Sequence, residues 1–109
     1  MPAVLKDIVV EQGATFELVI EVRKDGALLP LSGYTGSMQI RPTPASATVL
    51  GTGTVAIDGS NSLVTVTIPK GTTAGYTWSS GVYDVKIDNG TIAYRVAKGN
   101  ASLSKGVTS

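Results

Sequence analysis

Apolar and polar residues alternate along most of this chain. In "TFELVIEVR", Phe16, Leu18, Ile20 and Val22 fall on one side, and Glu17, Glu21 and Arg23 on the other. In "SLVTVTIP", Val64, Val66 and Ile68 share a side, with Thr65 and Thr67 opposite. "GVYDVKID" and "TIAYRVAK" repeat the pattern. A period of two puts successive side chains on opposite faces of a strand, and no long segment holds a helical period instead. Clusters of Gly, Asn, Asp, Pro and Ser separate the runs, which predicts about eight or nine strands.

Turn chemistry predicts how these strands pair. Asn89-Gly90 suits the positive φ angles of a two-residue type I′ loop. That loop sets Asp88 opposite Thr91, Ile87 opposite Ile92, Val85 opposite Tyr94 and Tyr83 opposite Val96. Asp84 then falls across from Arg95 on the outer face, where such an ion pair contributes roughly 0.2–1 kcal/mol. An Asp25-Gly26 loop sets Val22 opposite Leu29 and Ile20 opposite Leu31. A loop from Gly59 to Ser62 sets Ile57 opposite Val64 and Val55 opposite Val66. "RPTPASAT", with Pro42 and Pro44, reads as a loop or edge crossing. "PKGTTAGYTWSSG" reads as one helical turn and a corner that delivers the chain to the strand at Val82. The prediction is a single all-β domain over residues 1–109, an antiparallel immunoglobulin-like β-sandwich, with a small barrel as the second arrangement.

Composition narrows the function. The chain has 109 residues, 42% of them hydrophobic, enough for a core without covalent staples. Its formal net charge is +1, and the nine Lys and Arg are spread along the sequence. No steering field toward nucleic acid is expected. No apolar run reaches the ~18 residues of a membrane span. Lys6 and Asp7 interrupt the N-terminal apolar stretch, so no signal-peptide core is expected and the protein is expected to be made in the cytosol. There is no Cys and no His. Disulfides, thiolate chemistry, the usual general base and the commonest transition-metal ligand are thereby removed. The expectation is a protein with no enzymatic activity, no cofactor and no metal site.

The remaining motifs read as structure. Gly51-x-Gly53 lacks the third glycine and the following helix of a dinucleotide site, and fits a bulge or sheet crossover. Glu17 and Glu21 are four apart on a strand, about 13 Å, too far for paired-carboxylate chemistry. "DGSNS" from Asp58 offers one carboxylate and reads as a turn rather than a calcium loop. Asn89 and Asn100 begin glycosylation-type triplets, but Asn89 has a turn to make. Tyr76 and Trp78, in the Gly-rich corner, are candidate partner contacts together with Pro42 and Pro44. With six aromatic residues in all, the two rings are read first as folded onto the core edge. Tyr34, between Gly33 and Gly36, shares the parity of Met38 and Ile40, so its ring is expected to tuck against the end of the core. If well buried, Tyr34→Ala should cost about 3–5 kcal/mol.

Five short elements occur in order: Gln12-Gly13-Ala14-Thr15-Phe16, Leu31-Ser32-Gly33-Tyr34-Thr35, Met38-Gln39-Ile40-Arg41, Gly81-Val82-Tyr83-Asp84-Val85-Lys86-Ile87, and a last strand from Arg95 to Gly99. Over residues 8–108 the chain resembles small tailed-bacteriophage virion proteins. Related sequences form N-terminal domains of baseplate and fibre-attachment proteins. It departs from that pattern at Ala14, where Asp is common, at Lys98, where an acid is common, and in "GTTAGYTWSS", where a Leu-rich turn is common. The resemblance implies a non-enzymatic structural role in the virion, as a tail or baseplate adaptor or accessory module. It implies other virion proteins as partners and Phe16, Tyr34, Tyr83, Asp84 and Arg95 as a structural signature. Apart from the resemblance, Thr- and Val-rich strands with few charged residues leave edges poorly guarded. An exposed edge strand is therefore expected to carry part of the contact, with a second copy of the chain as one partner. A capsid decoration protein is the alternative role, and a carbohydrate-binding module the third.

Overall fold

The structure is a computed structural model that describes residues 4–24 and 26–105. Among these residues the chain forms ten strands and one short helix. They are β1 (Val4–Leu5), β2 (Ile8–Glu11), β3 (Phe16–Glu21), β4 (Arg23–Lys24), β5 (Ala27–Leu28), β6 (Thr35–Arg41), β7 (Gly51–Asp58), β8 (Leu63–Ile68), α1 (Lys70–Ala74), β9 (Ser80–Asp88) and β10 (Ala93–Ser104). Eight strands make one sheet in the order β1/β2–β10–β9–β6–β7–β8–β3, and β4–β5 forms a separate two-stranded ribbon.

The period-two runs become strands with the expected faces. Leu18, Ile20 and Val22 are buried, as are Val64, Val66 and Ile68, while Glu17 and Glu21 are exposed. The loop from Gly59 to Ser62 closes the β7–β8 hairpin as predicted, with Ile57 opposite Val64 and Val55 opposite Val66. Val22 meets Leu29 through a bond from Leu29 N to Val22 O of 3.0 Å; Asp25 lies outside the described residues. Ile20 does not extend that ribbon. Its ladder partner is Val64 of β8, and Leu31 is buried in the core instead.

β7 decides the architecture. Gly51 to Gly53 pair with Ile40 to Met38 of β6, whereas Thr54 to Asp58 pair with Thr67 to Leu63 of β8. One strand therefore belongs to both halves, and the sheet curls around one core as a half-barrel. The two glycines sit at this handover. A Cβ on Gly53 would lie 2.7 Å from Val66 Cγ1 and 3.3 Å from Met38 Sδ, and one on Gly51 would run into the Tyr76 ring.

The predicted all-antiparallel pairing fails at one edge. β1 and β2 lie end to end along β10 and run parallel to it, with Val4 opposite Ala97 and Ile8 opposite Ala101. The register is the same for both, so Lys6 and Asp7 interrupt one edge strand. Here Lys6 N donates to Lys98 O (3.0 Å), Tyr83 Oη donates to Lys6 O (2.6 Å), and Asn100 N donates to Asp7 Oδ1 (3.0 Å). Alternation carries no information on strand direction, so the pattern along the chain does not reveal this pairing.

The β9–β10 hairpin forms in a different register from the predicted one. Asp88 pairs with Ala93, not Thr91, and Ile87 with Tyr94, not Ile92. Asn89 is the cause. Its Oδ1 accepts from Thr91 N (2.9 Å) and Ile92 N (2.7 Å), and its own N donates to Ile92 O (3.1 Å). These bonds hold a longer loop than a type I′ turn, and Ile92, expected inside, is exposed. A bulge between Arg95 and Ala97 then buries both Val96 and Ala97. Val85 consequently faces Ala97 rather than Tyr94, and Tyr83 faces Gly99 rather than Val96. Asp84 faces Lys98, yet its ion pair with Arg95 forms across the diagonal, Nε to Oδ2 3.0 Å.

The helical turn and corner appear where expected. Thr73 on α1 is fully buried; its hydroxyl donates to Ala14 O (2.8 Å) and accepts from Gly13 N (3.1 Å). Gln12 Nε2 donates to Tyr76 O (2.9 Å). The Gln12-Gly13-Ala14 element is thus the turn that ties the β2–β3 connection to the corner.

Candidate functional site

The outer face of β6, β9 and β10 carries a groove of about 530 Å³. Its floor follows from the ladder. Ser37, Lys86 and Arg95 form one row, Gln39, Asp84 and Lys98 the next, and Arg41, Val82 and Asn100 the third. Alternation turns these side chains outward because Met38, Ile40, Tyr83 and Val85 point inward. The bulge at Val96 sets which β10 residues come out: Arg95 before it, Lys98 and Asn100 after it. Pro44, on the loop between β6 and β7, stands at the rim.

Four cations, Arg41, Lys86, Arg95 and Lys98, meet one carboxylate, Asp84, in this groove. The nine basic residues that look scattered in the sequence are therefore gathered in part by the fold. Arg41 is held in place, its Nη1 donating to Ser46 O and its Nη2 to Gln39 Oε1, both at 2.7 Å. Arg95 is held by Asp84. Lys86 and Lys98 make no ion pair or side-chain hydrogen bond within the described structure. The groove thus presents two fixed guanidinium groups and two free ammonium groups, suited to an anionic surface. Tyr83 lines it from beneath, but its hydroxyl is committed to Lys6 O. Burial and the nearby Asp7 charge push that phenol above its ordinary value of 10.0.

The other predicted residues lie elsewhere. Tyr76 is buried and Trp78 half-buried, their rings 5.4 Å apart at 46°, closing the core at the corner. Tyr76 Oη and Trp78 Nε1 have no hydrogen-bond partner among the described residues, and burial raises the Tyr76 pKa. Pro42 and Pro44 are exposed, on a loop tied back by Arg41. Phe16 packs at the edge of the core. Tyr34 is half-buried against the core as expected, with its ring stacked on Tyr94 at 6.5 Å and Lys24 Nζ 5.8 Å from the Tyr94 ring centre. Asp58 caps its turn, accepting from Asn61 N (3.2 Å) and Asn61 Nδ2 (2.8 Å). The bonds to Asn61 hold its carboxyl below the usual value of 3.8. Among the described residues no three Asp or Glu gather as a metal site.

The fold and its groove define an all-β protein with a basic outer face. No protein-family model and no curated protein matches the chain.

Proposed function

We propose that this chain is a non-enzymatic structural protein of a tailed-bacteriophage virion, an adaptor or accessory module of the tail or baseplate that docks on neighbouring subunits. Under this reading it is made in the host cytoplasm and ends in the particle. The phage setting rests on the five ordered elements described above. In this reading the curled sheet is an immunoglobulin-like sandwich whose N-terminal edge has paired in parallel.

The observation that carries docking is the unfinished state of the sheet. Among the described residues it ends on β1/β2 at one side and β3 at the other. Val4, Leu5 and Val9 on the first edge are 55%, 76% and 58% exposed, and Val19 on the second is 52% exposed. Both edges carry these exposed apolar side chains beside the charges of Lys6, Asp7, Glu11, Glu17 and Glu21, and an open sheet edge is a template for another chain. The expected result is that gold-labelled antibody against the protein decorates intact particles at the tail or baseplate. Labelling confined to the head would replace this reading with capsid decoration, and unlabelled particles would end both. A glycan array with binding lost in Trp78→Ala would instead support a carbohydrate-binding module.

A further inference from the structure

The basic groove has a counterpart on the same molecule. On the other half of the sheet, the outward residues of β3, β8 and β7 form a second lattice. Its rows are Glu17–Thr67–Thr54, Val19–Thr65–Ala56 and Glu21–Leu63–Asp58. Three carboxylates stand at its corners, and no Lys or Arg occupies any position in it. Glu21 is paired with Arg23 at 2.7 Å, just beyond the end of the strand. Glu17 has no ion-pair partner among the described residues. The middle of the lattice is small and weakly polar: Val19, Thr65 and Ala56.

We propose that these two faces form a head-to-tail contact, the acidic outer face of β3–β8–β7 of one copy docking on the basic groove of the next. The occupant of the groove is a second copy of this chain because the chain itself supplies the complementary surface. Among the described residues Lys86 and Lys98 lack partners, and Glu17 lacks one on the acidic face. Val19 and its threonine and alanine neighbours give the contact a centre that loses water at low cost. The charged rim then sets orientation and encounter rate. The two patches differ, so the contact is heterologous. It repeats from copy to copy and closes into a ring or continues as a filament. This deepens the docking part of the proposed function but does not depend on the phage setting.

Charge-reversed pairs test it. Lys86→Glu with Lys98→Glu makes the groove acidic, and Glu17→Lys with Glu21→Lys makes the opposite face basic. All four residues are exposed, so folding is expected to survive, which circular dichroism checks. Association is read by sedimentation velocity at an ionic strength of about 0.01 M and again at about 1 M, where the screening length falls from roughly 30 Å to roughly 3 Å. The native chain should associate at low salt and dissociate at high salt. Each reversed variant alone should associate at least about tenfold more weakly, a loss on the order of 1.4 kcal/mol. An equimolar mixture of the two variants should associate again, because each reversed face then meets its complement. The proposal is overturned if the native chain stays monomeric at low salt, if either variant associates as the native chain does, or if the mixture stays monomeric. Particle labelling is unaffected by any of these results, so failure here and failure of the virion reading remain distinct.

Discussion

A methyl group at position 99 tests how the N-terminal edge is held. Gly99 lies on β10 where Lys6 and Asp7 interrupt the edge strand, and a Cβ there would meet the Lys6 carbonyl, with Lys6 C at 2.7 Å and Asp7 N at 3.2 Å. These are backbone atoms and cannot swing aside as a side chain would. The chain has two responses to Gly99→Ala. If the Lys6–Asp7 segment lifts away, it gives up the bonds to Lys98 O, from Tyr83 Oη and from Asn100 N. At a net 0.5–1.5 kcal/mol each, that is about 1.5–4.5 kcal/mol. Lifting the whole strand would also expose Ile8 and Val10, about 1.5–3 kcal/mol each. If the segment instead stays and distorts, overpacking costs about 1–3 kcal/mol. The smaller response wins, so the expected loss is about 1–3 kcal/mol. For a domain of this size that lowers Tm by on the order of 5–15 °C. Urea and thermal unfolding measure it, and hydrogen exchange of residues 6–10 should rise. Gly71→Ala is the control. Gly71 lies in α1 with nothing within 4 Å of a new Cβ. That change should be neutral or stabilise by up to about 1 kcal/mol. If Gly99→Ala unfolds within about 0.5 kcal/mol of the native chain, the close approach does not exist and the parallel edge is wrongly placed.

Three further outcomes follow from named side chains. Tyr83→Phe removes a bonded buried hydroxyl and should lose about 0.5–1.5 kcal/mol in urea denaturation, whereas Tyr76→Phe removes one with no partner among the described residues and should be neutral or stabilising. Both phenols titrate above 10.0 in the folded chain because burial favours the neutral form. Their contribution is therefore complete below pH 10 and is lost as pH rises through the folded values. Unfolding followed from pH 8 to about pH 12 should show this loss, and Tyr83→Phe should lose less than the native chain. Tyr34→Ala should cost about 2–3 kcal/mol, under the 3–5 kcal/mol of a fully buried aromatic, because its ring is half-buried on Tyr94. A measured loss below about 0.5 kcal/mol would show that ring to be free in solution.

Features that depend on neighbours along the chain were legible from the residues alone. Alternation at Phe16 to Val22 and at Val64 to Ile68 placed those faces correctly, because the pleat enforces a period of two wherever one side is buried. The Gly59–Ser62 loop set the β7–β8 register because few residues separate its ends. The helical turn before Tyr76, the Gly51-x-Gly53 crossover and the inward lean of Tyr34 were legible for the same local reason. At Asn89 local reading failed, since a side-chain bond to Thr91 and Ile92 outcompeted the generic turn preference. Which strands meet over long separations is set by the folded chain as a whole. Only it shows that β7 changes partners midway, that β1 and β2 run parallel to β10, and that a bulge at Val96 resets what β10 exposes. The basic groove belongs to this second class. Arg41, Lys86, Arg95 and Lys98 come from three strands, and any one-residue slip would turn its strand's members into the core. Charge clustering of this kind is a property of the folded lattice, because strand order and register are fixed by where apolar surface across the whole chain can be buried at once.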